Sequence, residues 1–236
     1  MDFKLNNQIA QLKNWVFPSV CYSCSKTLED STSCFCSNCQ ESLPYLNHCC
    51  QRCSEPLINS NKTCGKCLSR TPTFDRCFCP FLYKEPISKM IQELKYAEHP
   101  KHLAKISELF LRELNANHIA LPEAIIAVPM HPKRLRAKGF NHSLELARII
   151  ASRLDIPLLN NHIKKDRNTP RQATMSLKKR QINLRGSFTV SQKINYRHLA
   201  IIDDVLTTGS TAEEISKILK KNGVNYIQVW GVAKTK

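Results

Sequence analysis

Two groups of residues in this 236-residue chain have types and spacings that can do chemistry. The first is a set of four Cys-x-x-Cys pairs: Cys21/Cys24, Cys36/Cys39, Cys50/Cys53 and Cys64/Cys67. Two thiolates three positions apart wrap one edge of a tetrahedral ion, and a second pair closes it. Four such pairs therefore describe two structural Zn²⁺ sites that need neither histidine nor water. Sequential pairing, first with second and third with fourth, is the expected arrangement, and an interleaved one stays open. A redox role is disfavoured because one exchanging pair suffices and four would compete. A catalytic zinc would need an open position and usually a His or carboxylate ligand. Cys34 and Cys49 could substitute in the ligand sets, whereas Cys77 and Cys79 alternate as packed strand residues do.

The second group is Asp203-Asp204-Val205-Leu206-Thr207-Thr208-Gly209-Ser210-Thr211, directly after the apolar run Ala200–Ile202. Two adjacent carboxylates at the tip of a buried strand point in different directions. The hydroxyl-rich run after them has a Gly that lets the backbone turn its N–H groups inward. The helix expected to start there offers free N–H groups and a dipole that favour a phosphate. It is not the nucleotide-triphosphatase loop, because the first Gly and the Lys of that motif are missing.

The charge supports an anionic ligand. The chain carries a net +16, and residues 161–200 hold ten basic side chains against one acid, Asp166. Such an excess repels itself unless an anion sits nearby, either a phosphorylated small molecule or nucleic acid; a solvated basic loop is the plain alternative. A hydrophobic content of 42% excludes disorder throughout. The longest mostly apolar stretch, Ile119–Met130, is interrupted by Pro122, Glu123 and Pro129, so no transmembrane segment is expected. The N-terminus lacks the pattern of a secretory signal, and a reducing, cytoplasmic setting follows for the thiols.

The elements that must position these residues fall into two parts. All twelve cysteines lie between Cys21 and Cys79. A module that small needs its metal to fold. Ahead of it, Phe3, Leu5, Ile9, Leu12 and Val16 form an apolar stripe expected on a short helix packed against the module. From Phe78 the pattern changes. Strands are expected at Phe78–Tyr83, Ala124–Pro129, Leu199–Ile202 and Tyr226–Val232. Helices are expected at Pro86–Ala97, around Leu103–Leu114, at Asn141–Leu154 and at Ser210–Lys221. This alternation predicts an α/β domain with a parallel sheet and helices on both faces, binding its ligand beyond the carboxyl ends of the strands.

The acidic loop resembles the phosphoribosyl pyrophosphate (PRPP) motif of type I phosphoribosyltransferases. The chain from about Pro18 to Lys234 resembles the ComF/GntX family, which joins a zinc module to such a domain. The resemblance is carried by Val128-Pro129-Met130-His131-Pro132-Lys133-Arg134, by Lys138-Gly139-Phe140-Asn141, by Gln172, Leu177, Arg180, Asn183 and Phe188, and by the acidic loop, all in family order. Lys138 departs from the pattern, standing where the family usually has Arg; its charge survives but the fork geometry does not.

The resemblance implies a double zinc ribbon with its leading helix over residues 1–76 and a Rossmann-like phosphoribosyltransferase domain over residues 77–236. It implies that Asp203 and Asp204 hold the ribose hydroxyls and are the catalytic pair, with Mg²⁺ on the pyrophosphate and sugar side. Thr207, Thr208, Gly209, Ser210 and Thr211 would cradle the 5′-phosphate, and Lys133 and Arg134 would meet the pyrophosphate. Arg167, Arg171, Lys178, Lys179, Arg180 and Arg185 would belong to a basic lid that closes over PRPP. The competence members imply a role in natural transformation, in which single-stranded DNA is handled and PRPP is a regulator or substrate. A helicase or another DNA-uptake protein is a compatible partner. An active phosphoribosyltransferase with an unidentified acceptor is the alternative, since no nucleobase pocket is visible in the sequence.

Overall fold

The computed structural model describes residues 19–28, 33–58, 62–94, 100–167 and 184–235. The apolar stripe at Phe3–Val16 lies outside these residues, as does the whole of 168–183 within the basic segment.

The first part of the chain is the same small unit built twice. In each unit the knuckle turns on a serine with positive φ, Ser25 (60°) and Ser54 (53°), directly after the second cysteine of the pair. The serine amide donates to the carbonyl of the first cysteine in both, Ser25 to Cys21 and Ser54 to Cys50. An antiparallel bridge flanks each knuckle, Val20 with Thr27 and Cys49 with Pro56. One helical turn follows each third cysteine: α1 (Ser37–Glu41) after Cys36 and α2 (Gly65–Ser69) after Cys64.

The chain then enters the sheet through β1 (Arg76–Phe78) and β2 (Phe81–Leu82). The single strand expected at Phe78–Tyr83 is split at Cys79-Pro80, because proline cannot donate to a ladder. Helices α3 (Ile87–Leu94) and α4 (Pro100–Ala116) lead to β3 (Ala124–Ala127). After it come α5 (Pro132–Lys138) and α6 (His142–Leu154). Strands β4 (Ile163–Lys165) and β5 (Phe188–Val190) pair antiparallel with each other. The chain closes with β6 (His198–Leu206), α7 (Ser210–Lys221) and β7 (Tyr226–Lys234). The main sheet is parallel, ordered β1-β7-β6-β3, with β2 also on β7.

Alternation along β6 and β7 shows why both faces of this sheet are covered. Ala200, Ile202, Trp230 and Val232 face a core shared with α3, α4, α6 and the first zinc-ribbon unit, through Phe35 and Leu43. Leu199, Ile201, Ile227 and Val229 face the opposite core, built with Ile215 and Leu219 of α7 and Phe188 of β5. Side chains of period two buried on both sides require helices on both sides. Cys77 and Cys79 point into the second of these cores and Phe78 into the first, which is the packed alternation their spacing implies. No described helix is long and apolar enough to cross a membrane.

The first unit is tied to this domain by polar contacts as well. Tyr22, inside its knuckle, donates to Glu93 of α3 at 2.8 Å, and the same carboxylate meets His102 of α4 at 3.0 Å.

Candidate functional site

The eight knuckle cysteines gather into two sets in the sequential pairing, Cys21/Cys24/Cys36/Cys39 and Cys50/Cys53/Cys64/Cys67. Within each set the sulfurs all lie within 4.8 Å of one another. Cys24 Sγ is 3.7 Å from Cys36 Sγ, and Cys53 Sγ is 3.6 Å from Cys64 Sγ. A tetrahedron with Zn–S bonds of about 2.3 Å has sulfur–sulfur edges of about 3.8 Å, so both sets fit Zn²⁺. The backbone favours thiolates in both. Burial raises the Cys21 thiol, but N–H groups of Cys36, Cys24 and Ser23 outweigh it and bring it down to about 6. Cys50 holds the equivalent place and is lowered in the same way, against its burial, by amides of Cys64, Cys53 and Arg52. Four sulfur donors leave no open position, so these are structural sites. Cys34 and Cys49 stand outside both sets.

The acidic pair lies further inside a strand than its sequence indicates. Pairing of β6 with β7 continues to Leu206 opposite Lys234, so Asp203 and Asp204 sit in the carboxyl half of β6 rather than beyond it. Asp203 Oδ1 accepts the Ser143 hydroxyl at 2.8 Å and the Asp204 amide at 3.0 Å. Burial, and then the neighbouring Asp204 charge, push Asp203 up to about 7 despite these two donors. Asp204 Oδ1 accepts from the Val205 amide at 2.7 Å.

The hydroxyl-rich loop closes onto the start of α7. Gly209, at φ 72°, is the residue before the helix, and its left-handed conformation is the reason glycine stands there. Thr208 and Ser210 share a hydroxyl hydrogen bond of 2.7 Å. The loop is braced from below. Lys234 Nζ, on a side chain 6% exposed, donates to the Thr207 carbonyl at 2.7 Å and lies 3.4 Å from Glu55. Thr73 donates to Glu213, in the first turn of α7, from both its amide (2.8 Å) and its hydroxyl (2.7 Å). The second zinc-ribbon unit and the stretch after it thus support the loop directly.

The segment after β3 adjoins this site because β3 and β6 are neighbours and Val128 donates to the Ile202 carbonyl at 2.9 Å. Asn141 ties that segment to α6 by donating to the Val128 carbonyl at 3.0 Å. Lys133 and Arg134 lie in the first turn of α5, whose N-cap is His131, its Nδ1 accepting from the Lys133 amide at 3.2 Å. His131 therefore has a capping role, with Pro132 at the favoured first position.

Of the expected lid residues, Arg167 stands where the β4–β5 ribbon opens, held by Asp166 donating to Ser187 at 2.9 Å. Arg185 lies just ahead of β5. Arg171, Lys178, Lys179 and Arg180 lie outside the described residues, as do Gln172, Leu177 and Asn183.

Three supporting residues escape sequence reasoning. Ser143 and Glu55 carry no local signal for partners so far along the chain. Lys234 does carry one: it is the lone charge in an otherwise uncharged strand, and such a charge must find partners.

Residues 12–81 match the double zinc ribbon domain. Over 224 residues the chain is 38% identical to competence protein F of Haemophilus influenzae, covering 91% of this chain and 96% of that protein. The chain belongs to the competence protein F family. It is also 30% identical to the DNA utilization protein YhgH of Escherichia coli K12, over 92% of this chain and 98% of that protein. Among solved structures it is similar to adenine phosphoribosyltransferase from Saccharomyces cerevisiae, at 14% identity and a TM-score of 0.39, over 62% of this chain and 89% of that one. Purine phosphoribosyltransferase from Pyrococcus horikoshii is similar at 18% identity and a TM-score of 0.32, over 55% of this chain and 80% of that one. The chain thus unites a double zinc ribbon with a parallel-sheet α/β domain, along the whole length its family shares.

Proposed function

We propose that this member of the competence protein F family binds PRPP and single-stranded DNA in the cytoplasm during DNA uptake. The observation that carries the reading is the end of β6, where Asp203 and Asp204 precede the Thr207-Thr208-Gly209 turn, braced at Thr207 by Lys234 and leading into Ser210 and Thr211 of α7. Asp203 and Asp204 would face the ribose hydroxyls, and Thr207, Thr208, Gly209, Ser210 and Thr211 the 5′-phosphate. Lys133 and Arg134 would face the pyrophosphate from the segment after β3, with Arg167 and Arg185 at the base of the lid. The adjacent carboxylates beside two cation-bearing segments suit Mg²⁺, which neutralises pyrophosphate charge when bound. The two zinc ribbons hold the module that supports the loop.

A second reading, phosphoribosyl transfer with release of pyrophosphate, is favoured by one observation: Asp203 is raised to about 7 and so exchanges a proton near neutrality. The test is calorimetric titration of Mg²⁺·PRPP into zinc-loaded protein, paired with anisotropy of a labelled oligonucleotide with and without PRPP. The reading expects PRPP binding that Asp204→Asn weakens, and DNA binding that falls with salt and shifts with PRPP. Absence of PRPP binding at millimolar ligand would refute the site assignment. Pyrophosphate release dependent on Asp203 and Asp204 would decide for the second reading.

A further inference from the structure

The phosphate loop opens into a cleft of about 1530 Å³, walled on one side by the second zinc-ribbon unit and on the other by α7. Its lining includes Cys53, Glu55, Lys66, Cys67 and Arg70 from the ribbon side. Thr207–Ser210 close one end, and Glu213, Glu214, Lys217 and Lys221 come from α7. No lining residue comes from β3 or from the segment carrying Lys133 and Arg134. The cleft therefore leaves the 5′-phosphate loop on the side away from the pyrophosphate. It also exceeds the roughly 300–1,000 Å³ that a small ligand occupies.

The charges in it are unevenly matched. Glu55 is met by Lys66 and Lys234, and Glu213 and Glu214 are met by Lys217. Those cations are committed to the protein's own acids. Arg70, Arg185 and Lys221 also line the cleft, are exposed, and have no carboxylate partner among the described residues. Three solvent-facing cations along a channel that ends in a phosphate loop repel one another unless a polyanion lies between them.

We propose that this cleft is the track of a single-stranded DNA, whose sugar–phosphate backbone passes Arg70 and Lys221 and places one phosphate in the Thr207–Ser210 loop. The proposal rests on the reading above and adds to it which strand end enters. A chain continuing from the 5′-phosphate position, away from the pyrophosphate side, puts the loop's nucleotide at the 3′ end of the strand. PRPP and that terminal nucleotide then compete for one loop. The aromatic side chain in the lining, Phe74, is buried and packs 3.8 Å from where a Cβ on Gly209 would lie. Backbone charge rather than base stacking therefore carries binding in this cleft, and it discriminates little between base sequences.

The test uses zinc-loaded full-length protein, a 5′-labelled oligothymidylate and a salt series. Two double variants are compared: Arg70→Ala with Lys221→Ala in the cleft, and Arg148→Ala with Arg153→Ala on α6. The cleft pair is expected to weaken binding about tenfold and to flatten the slope of log K against log salt by about 1.4, at roughly 0.7 per lost phosphate contact. The α6 pair is expected to leave both unchanged, and Mg²⁺·PRPP affinity stays within twofold in each. PRPP displaces the oligonucleotide from the parent protein, and blocking the strand's 3′ end with a bulky group weakens binding. If both pairs behave alike while the parent binds, the cleft is not the track, although the DNA-binding reading stands. If the parent binds no oligonucleotide at moderate salt, that reading fails and the inference with it. Equal displacement by polyglutamate of matched charge overturns the nucleic-acid assignment in favour of an acidic protein segment.

Discussion

Asp203 should make the free protein less stable as pH rises, and replacing it with asparagine should remove that loss. Its carboxyl stands at about 7 instead of the ordinary 3.8, raised by burial and then by the charge of Asp204. In the unfolded chain the group ionises near 4; in the folded protein it holds its proton until near 7. Between these values the native state binds one proton more than the unfolded state, so stability falls with increasing pH. The contribution is fully present below pH ~4 and gone above pH ~7. A shift of about three units at 1.36 kcal/mol each gives an upper figure of about 4 kcal/mol. Coupling to Asp204 and residual solvent access reduce it to about 2–4 kcal/mol. In Asp203→Asn the amide oxygen can still accept from Ser143 and from the Asp204 amide, and the NH₂ group can donate where the acid proton did. Urea unfolding of zinc-loaded parent and variant from pH 5 to 8 reads the difference directly. The variant should gain on the parent up to about pH 7 and level off beyond it, remaining more stable at pH 8, while Mg²⁺·PRPP binding is lost. A difference that stays flat with pH, or runs the other way, would refute the placement of Asp203 as a buried, charge-crowded acid. The gain in stability with loss of binding would mark the site as one held against its own repulsion for function.

Further outcomes follow from the same contacts. The chain should hold two zinc ions by elemental analysis, with Cys24→Ser and Cys64→Ser each losing one, and strong chelators should unfold the ribbon module. Lys234→Met keeps the stem but removes the donor to Thr207; it should cost about 1–3 kcal/mol in urea unfolding and weaken PRPP several-fold, whereas unchanged affinity would show that Lys234 does not position the loop. Gly231→Ala would bring a methyl to 2.8 Å from Leu206 Cγ and 3.1 Å from Cys79 Sγ, between neighbours fixed by the sheet. Overpacking there should lower stability by about 1–3 kcal/mol, visible as an earlier urea midpoint with the slope unchanged.

What the sequence determines here is whatever chemistry is local. A Cys-x-x-Cys knuckle is one turn of backbone, so the ligand types and their number are legible from spacing alone. The hydroxyl-rich loop is equally local, because strand end, glycine turn and helix start are contiguous from Ala200 to Ser210. The parallel sheet is legible from apolar strands long enough to bury both faces. The short helix α5 and the β4–β5 ribbon leave no such pattern, being too brief for periodicity to accumulate.

Tertiary structure alone decides what meets across the chain. The reach of β6 through Asp203 to Leu206 depends on β7 being there to pair with it, and no property of β6 itself supplies that partner. Ser143 finds Asp203 across 60 positions because α6 packs on the face of β6. The cleft owes its existence to strand order: β1 pairs with β7 and so carries the second zinc ribbon to the side of the Thr207–Ser210 loop, where Glu55 reaches Lys234. Local sequence encodes each wall of that cleft, but only the order of strands in the sheet brings the walls face to face.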